Sequence, residues 1–318
     1  MARSVSISAA RFAARVVVTL LVSSFLVFAA LYLSPGSPLA VLTSGHTVSP
    51  AGLHALEVQY HLNEPFVQRY WSWVTAALHG DFGESIVSQA SVSSLLGPRV
   101  LTTLTLVLYA GFVIVVLGVL TGVVAAVRGG SFDVTTTAFT TVGVATPSFV
   151  VAIVLITVFA VELRWFPVLG GGTGVADRLW HLTLPAIALA VSGLAYVSQT
   201  TRTAVREELG SEHVETAISR GVPRRTVIRR HVVRNAAIPI TTVAGLSIAS
   251  LIAGVAVVET AFGIDGLGSY LIQAVQNKDF AVVQAISLIL VTVFIITNAI
   301  VDVVHLMLDP RLRVPARR

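Results

Sequence analysis

Few residues in this chain offer chemistry, and they are unevenly placed. The segment ETAISRGVPRRTVIRRHVVRNAAIP, Glu215–Pro239, carries six arginines and no acidic residue between Ser219 and Asn235. Guanidinium groups stay protonated, so they recognise carboxylates, phosphates and polar surfaces and do not act as nucleophiles or bases. One face of the last apolar stretch holds Asn298, Asp302 and His305, at spacings of four and seven. That face either pairs internally, through Asp302 with Arg311 or Arg313, or belongs to a solute pathway or gate. No G-x-x-x-x-G-K-[ST] is present, and the single lysine, Lys278, follows Asn277, so the chain has no nucleotide-binding P-loop. GGGTG at Gly170–Gly174 lacks the strand–helix context of a phosphate site, and GLSIA at Gly245–Ala249 departs from G-x-S-x-G. The eight histidines contain no H-E-x-x-H, and His54 and His61 are a weak pair for a metal. The expectation is a protein with no catalytic residue, no metal and no cofactor of its own.

The elements that must carry these groups follow from composition. Of 318 residues, 55% are hydrophobic and 12% charged, with a mean hydropathy of +0.85. A soluble domain is nearer one quarter charged. The chain therefore reads as an integral membrane protein, and nothing in it suggests a nucleic-acid partner. With no cysteine, disulfides and thiolate chemistry are excluded. Six stretches can each supply the roughly 20 helical residues that cross a bilayer: Phe12–Leu33, Val100–Val127, Val134–Val161, Leu182–Thr201, Ile238–Thr260 and Phe280–Leu308. The first follows Arg11 and Arg15 as a signal peptide would, but its apolar run is longer and no clear cleavage site follows, so it reads as a retained helix. With both termini in the cytoplasm, 16 of the 21 basic residues lie inside. The positive-inside rule selects that orientation and puts the arginine segment in the cytoplasm.

Between the spans, two regions have structure of their own. In the long outer loop, Ser49-Pro50 opens a helix to about His61, and Pro65 opens another with Phe66, Tyr70, Trp73 and Ala77 in helical register, closed by Gly80. This forms either a cap packed on the helices or a partner, or an aromatic face at the membrane interface. In the arginine segment, Ser211 fits an N-cap, Gly221 the left-handed residue closing a helix, and Pro223 the start of a second helix to about Asn235. Val214, Ala217 and Ile218 share a face of the first helix; Val227, Ile228, His231 and Val232 share one of the second. A small knob results, with an apolar ridge and an arginine flank. Its glutamates, Glu207, Glu208, Glu212 and Glu215, argue against a hairpin that only rests on anionic lipid. GVLTG at Gly118–Gly122 is a small-xxx-small face suited to helix packing.

At these residues a family resemblance enters. Glu215–Pro239 resembles the cytoplasmic EAA loop of permease subunits of binding-protein-dependent ABC importers, and looks most like the dipeptide/oligopeptide and nickel permease group. Glu215, Thr216 and Ala217 stand at its Glu-Ala-Ala, Gly221 at its glycine, and Arg230, His231, Asn235 and Ala236 at its R-H-x-x-x-N-A pattern. YLSPGSP, YHLNEPFVQRYWSWVTAALHGDFGES, VETAFGIDGLGSYLIQAVQNKDFAVVQ and LDPRLR resemble further motifs of the group in order along the chain. Thr216, Arg234, Asp265 and Ser37 depart from those patterns.

The resemblance implies an all-α fold with six transmembrane helices, both termini cytoplasmic, and a coupling-helix hairpin. It implies three regions: residues 1–33, an outer loop at 34–98, and a permease core at 99–318 with the coupling loop at 203–236. It implies partners: a second permease, two ATPase subunits or one fused ATPase that bind ATP and Mg, and an extracytoplasmic substrate-binding protein. The location would be the cytoplasmic membrane of a bacterium and the cargo di- or oligopeptides, alternatively a nickel chelate or another small solute. A secondary transporter or a non-transporting scaffold fits less well. Residues expected at the ATPase contact are Val214, Glu215, Ala217, Ile218, Gly221, Arg224, Arg225, Val227, Arg229 and Arg230, with Val214, Ala217, Ile218 and Val227 as the buried ridge.

Overall fold

The computed structural model describes residues 2–33 and 64–308. The expected helix up to His61, with His54, and the arginines Arg311 and Arg313 lie outside the described residues. Within them every named element is helical, and β structure is limited to an isolated bridge between Glu84 and Ser91. The chain forms two compact units, residues Met1–Leu101 with Gly266–Ile295, and Thr102–Asp265 with Ile296–Arg318.

The first unit contains α1 (Ala2–Leu33), α2 (Phe66–Leu78), the start of α3 (Val92–Arg128), α9 (Leu267–Gln276) and the start of α10 (Phe280–Leu308). The aromatic register of α2 packs on α1. Phe66 and Tyr70 meet Phe25 and Phe28 edge-on at centroid distances of 5.3–5.7 Å. Tyr70 is buried, and its hydroxyl donates to Leu21 O and lies 2.9 Å from Ser24 Oγ. α2 therefore packs on a neighbouring helix, and Val67 and Trp71 on its other side stay exposed. Elsewhere in the unit Val92, Leu96, Leu267, Ala274, Val282 and Ile286 form an apolar core. The Arg99 guanidinium lies 4.1 Å from the centre of the Tyr270 ring. Ser85 Oγ donates to Asp279 Oδ2 at 2.5 Å, tying the loop before α3 to the residue before α10.

The second unit holds most of α3, then α4 (Gly130–Ala145), α5 (Ser148–Leu155) with a π turn at Ile156–Glu162, α6 (Gly174–Leu209), α7 (Glu212–Ser219) and α8 (Arg224–Ala261). In a bilayer, helices associate through close packing and small residues, because lipid is as apolar as leucine. α6 supplies such a surface: Ala186, Ala188, Ala190 and Gly193 are buried among α3, α5 and α8. Gly118 and Gly122 are the matching surface on α3. A Cβ on Gly122 would stand 2.5 Å from the Ser198 carbonyl, so only glycine allows that approach. Thr121 Oγ1 donates to Ser198 Oγ at 2.9 Å across the same contact.

Among the described residues, four helices are long and apolar enough to cross a membrane: α3, α6, α8 and α10. The expected span Val134–Val161 is not one straight helix. α4 and α5 meet at an angle of 109°. Pro147 has no N–H to continue the ladder, and it forces Thr146 into an extended conformation, φ −89° and ψ 122°. Counted as one bent span, the pair makes a fifth. α1 adds an apolar run at Ala14–Ala30, within the expected first span.

Candidate coupling hairpin

The hairpin begins where α6 ends. Ser211 precedes α7 with extended backbone, as expected of an N-cap, but its hydroxyl donates to Glu208 O and caps no N–H of α7. At the other end the closure is a Schellman motif: Gly221 N donates to Ile218 O at 2.9 Å and Val222 N to Ala217 O at 3.1 Å. Gly221 has φ +76°, the left-handed conformation expected of it, and a Cβ there would touch nothing within 4 Å. The need for glycine is therefore conformational, not steric.

Past Pro223 the chain departs from expectation. The second short helix does not end near Asn235 but runs without a break into the fifth apolar stretch, as α8. Residues Val227–Val232 form a π turn. That register places residues five apart on one side, and Val227 and Val232 are both buried, at 1% and 0% exposure. The second arm of the knob is thus a rigid extension of a long helix.

The apolar ridge also turns out to face inward. Val214 (0%), Ala217 (9%) and Val227 pack with Val205, Val232, Ala236 and Ile240 in the chain's own core. Ile218, 56% exposed, is the member of the expected ridge whose apolar surface is open. Periodicity identified an apolar face but not the neighbour that covers it, and here α6 and α8 cover it. Glu215, Arg224, Arg225, Arg229 and Arg230 are all exposed. Arg225, Thr226, Arg229, Arg230 and Arg234 line an open cleft of about 500 Å³.

Spacing did not reveal two polar clusters, one that holds the hairpin in place and one that ties α4 to α6. Asn235 Nδ2 donates to Glu208 Oε1 at 2.7 Å, and His213 Nε2 lies 2.9 Å from the same oxygen. The end of α6, the start of α7 and the second arm are thereby joined. Further along, Asp133 of α4 accepts from Arg202 Nε and Nη2, and from Arg206 Nη1 at 3.1 Å. Asp133 stands one residue before the expected span Val134–Val161, and its spacing carried no signal for the two arginines. Glu259 is similar: fully buried in α8, it accepts a 2.6 Å hydrogen bond from Thr103 Oγ1. Asn298 is half-buried on α10, while the side chains of Asp302 and His305 lie outside the described residues. Among the described residues no three of His, Cys, Asp and Glu converge as a metal site.

Residues 114–314 match the model of the binding-protein-dependent transport system inner membrane component family, and residues 7–107 match the N-terminal model of the same kind of component. A probable peptide ABC transporter permease protein, y4tP of Sinorhizobium fredii, is 33% identical over 90% of this chain and 93% of its own length. The oligopeptide transport system permease protein OppB of Escherichia coli is 34% identical over 93% of this chain and 95% of its own. Among solved structures, an inward-facing MetNI methionine ABC transporter superposes with a TM-score of 0.55 at 16% identity. That match covers 68% of this chain and 96% of the other, and it speaks for the fold. The chain is a multi-pass membrane protein and belongs to the family of binding-protein-dependent transport system inner membrane components.

Proposed function

We propose that this chain is one of two permease subunits of an ATP-driven importer of di- and oligopeptides in a bacterial cytoplasmic membrane. The observation that carries the reading is near full-length likeness to relatives named for peptide and oligopeptide transport. Six spans, supplied by α1, α3, the α4–α5 pair, α6, α8 and α10, leave both termini and the hairpin in the cytoplasm, and the arginine asymmetry supports that orientation. The regions 1–33, 34–98 and 99–318 are then the entry helix, the outer loop and the permease core.

The chain has no phosphate loop, so ATP and Mg belong to partner ATPases, two subunits or one fused chain. Each permease hairpin sits in a groove of an ATPase. Ile218 is buried there on assembly, with Glu215, Arg224, Arg225, Arg229 and Arg230 around it setting orientation and association rate. Val214, Ala217, Val227 and Gly221 serve the contact from within by holding its shape. Because the second arm is continuous with α8, closure of the ATPase pair moves a transmembrane helix directly. Asn298, Asp302 and His305 belong to the pathway or its gate. An extracytoplasmic binding protein delivers the peptide to the outer mouth.

The test is reconstitution of this chain with its partner permease, ATPases and binding protein in vesicles. ATP-dependent accumulation of a labelled oligopeptide is expected. Equal accumulation when this chain is left out would sink the proposal.

A further inference from the structure

Exposed side chains on the long helices are largely apolar, such as Leu108, Phe112 and Leu120 on α3 and Phe139 on α4. One stripe on α6 differs. Tyr196, Thr200, Thr203 and Glu207 recur at i, i+4, i+7 and i+11, which is a single helix face. Tyr196 is 51% exposed, Thr203 and Glu207 are exposed, and Thr200 is half-buried. The stripe runs about 16 Å along the axis at 1.5 Å per residue. Its last part borders an open cleft of about 370 Å³, lined by Gln199, Thr200, Thr203 and Glu207 of α6 and by Pro239 of α8.

The hydroxyls carry a second signal. Thr183, Thr241, Thr242 and Thr260 each donate to the carbonyl four residues earlier. A hydroxyl facing hydrocarbon satisfies itself that way, because lipid offers no partner. Thr200 and Thr203 have no such bond among the described residues, so their hydroxyls are available to water or a solute.

We infer that this face of α6 lines the aqueous path of the transported solute, with Glu207 drawing cationic groups toward the end that carries the hairpin. The inference rests on the permease reading above and adds the surface that the solute meets. The uncommitted hydroxyls suit peptide amide groups, which both donate and accept hydrogen bonds, and Gln199, whose Nε2 donates to Thr140 Oγ1 at 3.2 Å, keeps its amide oxygen as a further acceptor. A carboxylate at the mouth suits the ammonium of a peptide N-terminus or a lysine side chain. A second permease packed tightly over the stripe is the competing occupant.

The chain has no cysteine, so single cysteines at Tyr196, Thr200, Thr203 and Glu207 can be placed in the assembled transporter, with Leu108 and Phe112 as apolar controls. Each variant is first assayed for uptake of labelled trialanine, then exposed to a charged, membrane-impermeant methanethiosulfonate. Modification along the stripe, its slowing by trialanine, and silent controls are expected. A stripe as silent as the controls overturns the inference, whether lipid or a second permease covers it. A second arm compares uptake of trilysine and triglutamate by Glu207→Gln. The trilysine-to-triglutamate ratio is expected to fall severalfold, and an unchanged ratio overturns the role given to Glu207. If wild-type uptake is normal while the stripe is silent, the pathway assignment fails alone. If the wild-type assembly imports no peptide, the permease reading fails, and thiol modification still reports whether water reaches the stripe.

Discussion

At the scale of single residues, the hairpin separates side chains that are buried within the chain from those that stay exposed. Val214 is fully buried within the chain, whereas Ile218 is 56% exposed. Val214→Ala removes two buried methyl groups and is expected to destabilise the isolated permease by about 2 kcal/mol. Ile218→Ala is expected to leave that stability unchanged and to weaken ATPase retention. Thermal unfolding of the detergent-solubilised chain, beside copurification of the ATPase, separates the two. Equal melting shifts for both variants would contradict the inward ridge. Gly221 is a different case. A Cβ there meets no neighbour within 4 Å, but at φ +76° it costs about 1–2 kcal/mol of backbone strain. Gly221→Val should insert at normal abundance yet lose uptake, because relaxing the strain turns α7 against α8. Normal uptake by this variant would mean the Schellman closure does not shape the coupling contact.

At the scale of elements, the bent pair of helices is linked to α6 by one carboxylate. Asp133 sits in the first turn of α4 and accepts from two arginines one turn apart on α6. It is mostly buried, so the bonds are screened less than a surface pair would be. Asp133→Ala should remove the hydrogen bonds that both arginines make to α4. The loss should be local: faster hydrogen exchange in α4 and at the end of α6, with α10 unchanged. Uniform destabilisation of every helix would show that the pair does not anchor α4 in particular. The π turn in α8 belongs to this scale as well, since it lets Val227 and Val232 share a core while the intervening arginines stay outside.

At the scale of the whole molecule, the question is which side of the membrane each region occupies. Ser88, before α3, and Ser219, at the end of α7, are both exposed. A cysteine at Ser88 should react with an impermeant maleimide in intact cells, and one at Ser219 only after the membrane is opened. The opposite pattern would place the hairpin beyond reach of a cytoplasmic ATPase. The purified chain by itself should hydrolyse no ATP, since it has no phosphate loop. Hydrolysis that follows the chain through purification would overturn its assignment as a passive subunit.

The apolar stretches, the arginine-rich hairpin and the glycine that closes it were all legible in the linear chain. Each is a local property: hydropathy over some twenty residues, charge density over seventeen, and a left-handed position that glycine tolerates best. Gly118 and Gly122 were legible for a related reason, since small residues four apart have few uses in a membrane helix except close packing. What the tertiary structure decided was the partner of each face. The same valines at helical spacing serve an external groove or an internal core, and only the positions of α6 and α8 show that Val214, Ala217 and Val227 belong to the core. Asp133 and Arg202, 69 residues apart in sequence, carry no mark of one another until the helices are packed. Composition also averaged over the bend at Pro147, because hydropathy does not register the direction in which a helix leaves a proline. Periodicity states which residues share a face, whereas what covers that face is settled by non-local packing.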